Sequence, residues 1–235
     1  MEENGENCFF RFCTPKDIGQ VMELQQDIMD GLEDRDLLRE NSREMLLSCL
    51  EAPHVTLGIF DREQVLVAMA VLYDGRGSEE DLSLGLVNHK VSVPANFKLV
   101  LVRKEYRGRG FQKLLMGMLE KYAVSRGFTH LCATVSPKNL HSKANIQAMG
   151  YLYDHTQEKY GGVVRDVFVK NIVEETAEYN RDTMLNVLKK GIAFMDFISL
   201  REQYKEFIYK GFSYEVTDGM YQVTYSFEIP GLSEF

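Results

Sequence analysis

Val102-Arg103-Lys104-Glu105-Tyr106-Arg107-Gly108-Arg109-Gly110-Phe111-Gln112 joins an apolar run on its N-terminal side to an amphipathic one on its C-terminal side. Residues 97–102 read as a buried strand, and Phe111, Leu114, Leu115, Met118, Leu119 and Tyr122 recur at helical spacing, so the stretch is a strand-to-helix turn. Glycines at 108 and 110 let the backbone curl closely round an anion, and the amides that open a helix point into that curl. A diphosphate suits such a cradle. Arg103, Lys104, Arg107 and Arg109 add local positive charge to a chain whose 27 basic and 35 acidic residues leave it at -8. There is no GxxxxGK followed by Ser or Thr, and no GxGxxG with an acid closing the next strand, which argues against a P-loop hydrolase and a Rossmann enzyme.

Working outward, Arg126-Gly127 ends the helix, residues 130–135 form a further strand, and Ser136-Pro137-Lys138-Asn139 leads into a short helix that stops at Gly150. A strand-helix-strand-helix run of this kind implies parallel pairing of its two strands. Upstream, residues 8–12 are a short strand, and Thr14-Pro15-Lys16-Asp17 opens a helix whose apolar stripe includes Ile18, Val21, Leu24 and Ile28. Residues 33–39 are a connection with some helix, and a second helix runs from Ser42 to about residue 50, before Pro53. Residues 55–60 and 65–73 then read as an antiparallel hairpin, followed by a polar, glycine-bearing loop to about residue 88. Downstream, 151–155 and 163–171 form a strand pair. Helical spacing appears in 184–190 and 194–209, and a final hairpin, 212–216 with 221–227, turns at Asp218-Gly219.

The segment from Val102 to Gln112, with Leu114 and Leu115 behind it, resembles the acyl-CoA-binding motif of the GCN5-related N-acetyltransferases (GNAT). In that family an arginine, two variable positions, a glycine, one more position and a small residue hold the coenzyme diphosphate. Those places fall on Arg107, Gly110 and Gln112, the last departing from the small residue. The resemblance continues at Asn139 and Gly150-Tyr151, which look like the family's helix beside the pantetheine arm, and it covers about residues 8–172. It implies an α+β fold with α/β/α layers. The central sheet would be mixed and mostly antiparallel with one splayed parallel strand pair, and an extension of helices and a β-hairpin, 173–235, would follow a domain spanning 1–172. The implied cofactor is acetyl-CoA, held by Leu101, Val102, Arg107, Gly108, Arg109, Gly110, Phe111, Gln112, Asn139 and Ser142.

The implied reaction is direct attack of a primary amine on the thioester, driven by orientation and oxyanion stabilisation. The family's usual tyrosine acid is replaced by Ile146, and the frequent glutamate on the preceding strand by Asn96 or Lys98. Ser142 or Asn145 would then assist the leaving thiolate, and the acidic triplet Glu79, Glu80 and Asp81 offers a base, with Glu79 taken as the representative. The acceptor is a small-molecule amine or an exposed amino group of a protein or peptide. The same gaps also fit a coenzyme-binding sensor with weak transfer.

Composition bounds these readings. With 235 residues, 45% hydrophobic and 26% charged, the chain is long enough for a well-buried core. Its acidic balance disfavours nucleic acid and anionic membranes, and no window is apolar enough to span a bilayer. Cys8, Cys13, Cys49 and Cys132 lack CxxC spacing and the five histidines do not cluster, so no metal is expected, and a reducing cytoplasm fits the thiols. Cys132 reads as a core thiol and His141 as a surface helix residue. The aromatic tail reads first as core, with an acceptor pocket or a homodimer face as the alternatives.

Overall fold

The computed structural model describes residues 8–78, 80–159 and 162–173 in full, and the backbone of 207–217 and 220–228. Along the described chain run β1 (Cys8–Phe12), α1 (Ile18–Asp30), α2 (Arg43–Ser48), β2 (Val55–Phe60), β3 (Leu66–Tyr73) and β4 (Pro94–Val102). They are followed by α3 (Phe111–Ser125), β5 (His130–Val135), α4 (Leu140–Ala148), β6 (Leu152–Lys159), β7 (Val163–Asn171), β8 (Phe207–Thr217) and β9 (Met220–Glu228). The strands lie in one sheet in the order β6-β7-β5-β4-β3-β2-β1-β8-β9. Neighbours run antiparallel except β4 and β5, which are parallel, as a strand-helix-strand connection requires.

The alternation of side chains explains the layers. On β3, every residue of which is buried, Met69, Val71 and Tyr73 pack with Val21, Leu24 and Leu46 of α1 and α2. Ala68, Ala70 and Leu72 face Leu115, Met118 and Leu119 of α3 on the opposite side. A strand covered on both faces reads as a continuous apolar run, which is why residues 65–73 show no polar alternation. The β2–β3 turn is set by Asp61, whose carboxylate accepts from the amides of Glu63 and Val65, both at 2.9 Å.

One expectation changes at the C-terminal end, and the bounds of two earlier strands shift. The helical pattern assigned to 194–209 gives way at its last residues, where Phe207, Ile208 and Tyr209 start β8 and pair antiparallel with Phe10, Phe9 and Cys8. Pairing with the edge of β1 outweighs local helical spacing there, and it covers the unpaired groups of that edge. The rest of that pattern, and the helix assigned to 184–190, lie outside the described residues. The strand assigned to 151–155 extends to Lys159, and the one assigned to 97–102 starts at Pro94.

Candidate functional site

The feature that opens the sheet is one extra residue. On β3, Val71 faces Leu99 of β4 and Leu72 faces Phe97, so Lys98 is the unpaired residue of a β-bulge. The bulge exchanges the two faces: Phe97 packs toward α3, whereas Leu99 and Leu101 pack toward α1 and α2. At the same point β4 and β5 part, since their pairing ends at Phe97 and Ala133. A gap therefore runs through the sheet beside residues 98–102. The Arg103 N–H donates to Val67 O on β3 at 2.9 Å, and antiparallel alternation then directs the backbone of Leu101 to β3 and that of Val102 to the gap. Of these two residues, Val102 lines the open edge, and Leu101 is a core residue at 2% exposure.

Beyond β4 the turn winds through a short 3-10 segment, Lys104–Tyr106, to Gly108 and Gly110 with φ of 79° and 77°. At both glycines a Cβ would meet no atom within 4 Å, so the space in front of the curl is open. The first rung of α3 is Leu114 N–H to Gly110 O at 3.0 Å, so the amides ahead of it sit at the positive end of a 15-residue helix. Arg107 is exposed and its Nε donates to Val102 O at 3.3 Å, while the Arg109 guanidinium lies over the Tyr106 ring at 4.7 Å. The Phe111 side chain is buried against Tyr106, so it anchors the turn from behind. Gln112, which departs from the small residue of the motif, accepts from Asn145 Nδ2 at 2.8 Å and ties α3 to α4.

Between the parted strands lies a cleft of about 120 Å³. Gln112, Met116, Asn139, Ser142 and Ile146 line it from α3 and α4, and Leu38, Arg39 and Asn41 from the α1–α2 connection. Lys98 of β4, Thr134 of β5 and Arg165 of β7 complete the wall. The Asn139 carboxamide caps α4 by accepting from Ser142 N–H at 3.0 Å. The gap thus joins a face built by α3 and α4 to one built by the α1–α2 connection and the 74–93 loop. A molecule extended through the gap would meet a second one arriving from the other face.

Among the residues singled out for proton transfer, Ser142 lines this cleft and the Asn145 carboxamide is engaged with Gln112. Glu79 lies outside the described residues. Its neighbour Glu80 reaches Lys98 Nζ at 2.7 Å and Arg39 at 3.3 Å. Burial alone would raise the Glu80 carboxyl, but the Lys98 ammonium and the Arg39 guanidinium outweigh it and hold it below the usual carboxylate range. An ionised, paired carboxylate is a poor base, so Glu80 is a structural counter-ion. Replacing it by Gln leaves Lys98, whose side chain is 7% exposed, without this charge partner. The expected cost is about 2 kcal/mol in urea unfolding at pH 7. Below about pH 4 that cost shrinks, because a depressed pKa contributes stability above the unfolded value and loses it as pH falls.

Cys132 is fully buried and its thiol is pushed up to about 12 by that burial and by Asp81 and Asp154, so it is no nucleophile, and His141 is an exposed α4 residue. Among the described residues no cluster of three metal-ligating side chains occurs, and no helix is long and apolar enough to cross a membrane. Nothing in the sequence joins Arg39, Lys98 and Arg165, which are far apart in the chain, into the one wall they form here. Lys98 carried the only local signal, a charged residue inside an apolar strand.

A model of the acetyltransferase (GNAT) family matches residues 19–151, more than half of the chain. No curated protein matches. Among solved structures, Arabidopsis thaliana NAA60 in complex with a bisubstrate analogue superposes with a TM-score of 0.55 at 16% identity, covering 70% of this chain and 97% of that one. The ribosomal-protein-S18-alanine N-acetyltransferase of Escherichia coli gives 0.53 at 14% identity, with 70% and 94% covered. The PaiA N-acetyltransferase of Thermoplasma acidophilum in complex with coenzyme A gives 0.51 at 16%, with 70% and 98% covered. At these identities the likeness is one of fold.

Proposed function

Because the chain belongs to the acetyltransferase (GNAT) family, we propose that it moves an acyl group, acetyl in the first instance, from coenzyme A to a primary amine within a ternary complex. The observation that carries this reading is the juxtaposition of the open glycine turn, with its two positive-φ residues, and the gap where β4 leaves β5. Two linked phosphates fit the turn and an extended amide-bearing arm fits the gap. Acyl-coenzyme A supplies the activated carbonyl that the amine attacks directly.

The chain's own residues bind and orient. Amides from Gly108 to Gln112 and the Arg107 guanidinium hold the diphosphate, with Arg109 beside them. The backbone edge at Val102 bonds the arm, and Asn139 and Ser142 flank it on α4. Ser142 is the hydroxyl we assign to the leaving thiolate. Asn145 acts through Gln112, fixing the wall of the cleft. Glu79 is assigned to take the amine proton through water, since Glu80 is already paired. The boundary at 172 and 173 belongs to the same proposal: residues up to 172 carry the chemistry, and the later hairpin guards the edge of β1.

A second reading, a coenzyme-binding sensor with weak transfer, draws support from Ile146 at the place of the family's tyrosine and from the ion pair that occupies Glu80. One experiment separates them. Calorimetry with acetyl-CoA is expected to show saturable binding, and thiol release is then followed across amines, amino acids and peptides. Turnover near the usual enzyme range of about 1 per second or more with one acceptor supports the transferase. Binding with no turnover on any acceptor supports the sensor, and no binding overturns both.

A further inference from the structure

We propose that the gap between β4 and β5 is closed at its wide end by an ionic strap, which parts to let acyl-coenzyme A enter and leave. This rests on the coenzyme site of the transferase reading above and adds control of ligand exchange to it. The two strands pair only as far as Phe97 and Ala133, so the gap is a V that widens toward Val102 and Ser136. One stretch of chain crosses the wide end. Directly after β4, the Arg103 guanidinium reaches Asp27 and, at 3.1 Å, Glu23 on α1. In the turn after β5, Lys138 Nζ reaches Asp34 at 2.8 Å and Asp36 at 3.1 Å in the α1–α2 connection. From Asp27 to Asp34 the same chain passes from the end of one parted strand to the end of the other, and the V becomes an eyelet.

The strap is firm at its two ends and weak between them. On the β4 side, Arg103 Nε also donates to Leu66 O at 3.1 Å. Where the connection runs on toward α2, Arg39 reaches Glu80 at 3.3 Å, and Gln25 and Asn41 exchange buried hydrogen bonds. Gln25 Nε2 donates to Asn41 O and the Asn41 N–H to Gln25 Oε1, both at 3.0 Å. At the clasp itself the side chain of Lys138 is 58% exposed, and those of Asp34 and Asp36 are 39% and 62%. Pairs this open to water hold weakly and are screened by salt, so the strap yields at Lys138. Asp34 suits a clasp that opens and closes. One of its carboxylate oxygens accepts from the Asp36 amide at 2.9 Å and the other from Lys138, so the carboxylate stays oriented when the lysine leaves.

The consequence is kinetic. An arm whose diphosphate is held at the turn beyond Val102 swings into the gap sideways, through the wide end that the strap crosses. Leu37 and Leu38 of the connection line the cleft, so the strap also covers an arm seated there. Lys138, Asp34 and Asp36 have no part in the assigned grip on donor or acceptor, and the clasp does not depend on what the cleft holds. Opening it therefore speeds entry and exit alike and leaves affinity little changed. Loss of a binding contact instead shows mainly in exit.

The test measures association and dissociation rates of acetyl-CoA by surface plasmon resonance on the full chain. It compares wild type with Lys138→Gln and with Asp34→Asn combined with Asp36→Asn, where asparagine keeps a capping oxygen at 34. The two variants break one clasp but change the charge in opposite directions, the first making the protein more negative and the second less. Both are expected to raise each rate at least about threefold at about 0.05 M salt, with the dissociation constant moved by less than about twofold. At about 1 M salt, where the screening length is about 3 Å, wild type should approach the variants. Dissociation rates that move in opposite directions in the two variants would mean that these side chains act only through the field felt by the anionic coenzyme, and would overturn the strap. Unchanged rates in both variants overturn it too. Faster exchange in both variants, with no turnover on any amine, keeps the strap and overturns the transferase. Failure of the wild type to bind acetyl-CoA overturns both.

Discussion

A Gly110→Glu variant is expected to lose affinity for acetyl-CoA by at least about 100-fold in calorimetry, close to 3 kcal/mol, while remaining folded. Gly110 has φ of 77° at the N-terminal cap of α3, a conformation that costs an L residue about 1–2 kcal/mol. Its added side chain meets nothing within 4 Å, so it projects into the open space before the turn and leaves the core undisturbed. There the new carboxylate occupies the place assigned to the diphosphate and opposes it by charge. Gly110→Asn is the control: asparagine tolerates left-handed backbone and adds no charge, so it should retain most of the affinity. Equal binding by wild type and the Glu variant would remove the phosphate site from the turn.

Asp154→Ala should lower stability by about 2–4 kcal/mol and release the 74–93 loop. Asp154 is 1% exposed, and its carboxylate accepts from the amides of Val87 and Asn88 at 2.8 and 2.9 Å and from Nδ1 of His89 and His155, both at 2.6 Å. Asn88 also donates its side-chain amide to the Asp154 carbonyl. Burial by itself would raise the carboxyl, but the Val87 amide, the two imidazoles and the Asn88 amide outweigh it and hold it far below the usual range. The contribution is therefore complete at neutral pH and fades as pH drops below about 4, where the unfolded carboxyl takes a proton. Urea unfolding at pH 7 and pH 3, with amide exchange at residues 87 and 88, measures both effects. Unchanged exchange in the Ala variant would show that the loop is held elsewhere. Because this loop carries both Glu80 and the base assigned at Glu79, the variant should also lower kcat/KM for the acceptor.

Much of the architecture was legible before any coordinates, for local reasons. The strand-turn-helix around Gly108 and Gly110, the parallel relation of β4 and β5 and the hairpin of β2 and β3 each depend on residues close in sequence. The open curl at Gly108 and Gly110 was legible too, because it is made of backbone, and glycine positions disclose backbone conformation. The bulge at Lys98 left no such trace: nothing in 97–102 says that one residue will lack a partner on β3. The start of β8 differs from the sequence expectation for a related reason, since Phe207, Ile208 and Tyr209 obey helical spacing until the edge of β1 offers them hydrogen bonds.

The candidate proton-transfer groups divide along the same line. Glu80 was grouped with its neighbours as an acidic triplet on a loop, and only packing distinguishes it, by bringing Arg39 and Lys98 against its carboxylate. For Asn145 too the sequence shows only a polar side chain on α4, and it is the approach of α3 that lets Gln112 accept a hydrogen bond from its Nδ2.

By itself the sequence determined the open glycine turn ahead of α3, the order of the central elements and the acidic field around them, because each depends on local backbone preference or on a sum of charges. Tertiary structure alone decided where the sheet parts and which charges face the gap. Arg39, Lys98 and Arg165 come from a loop, a bulge and a distant strand, and they line one cleft only once packing and strand register have been fixed.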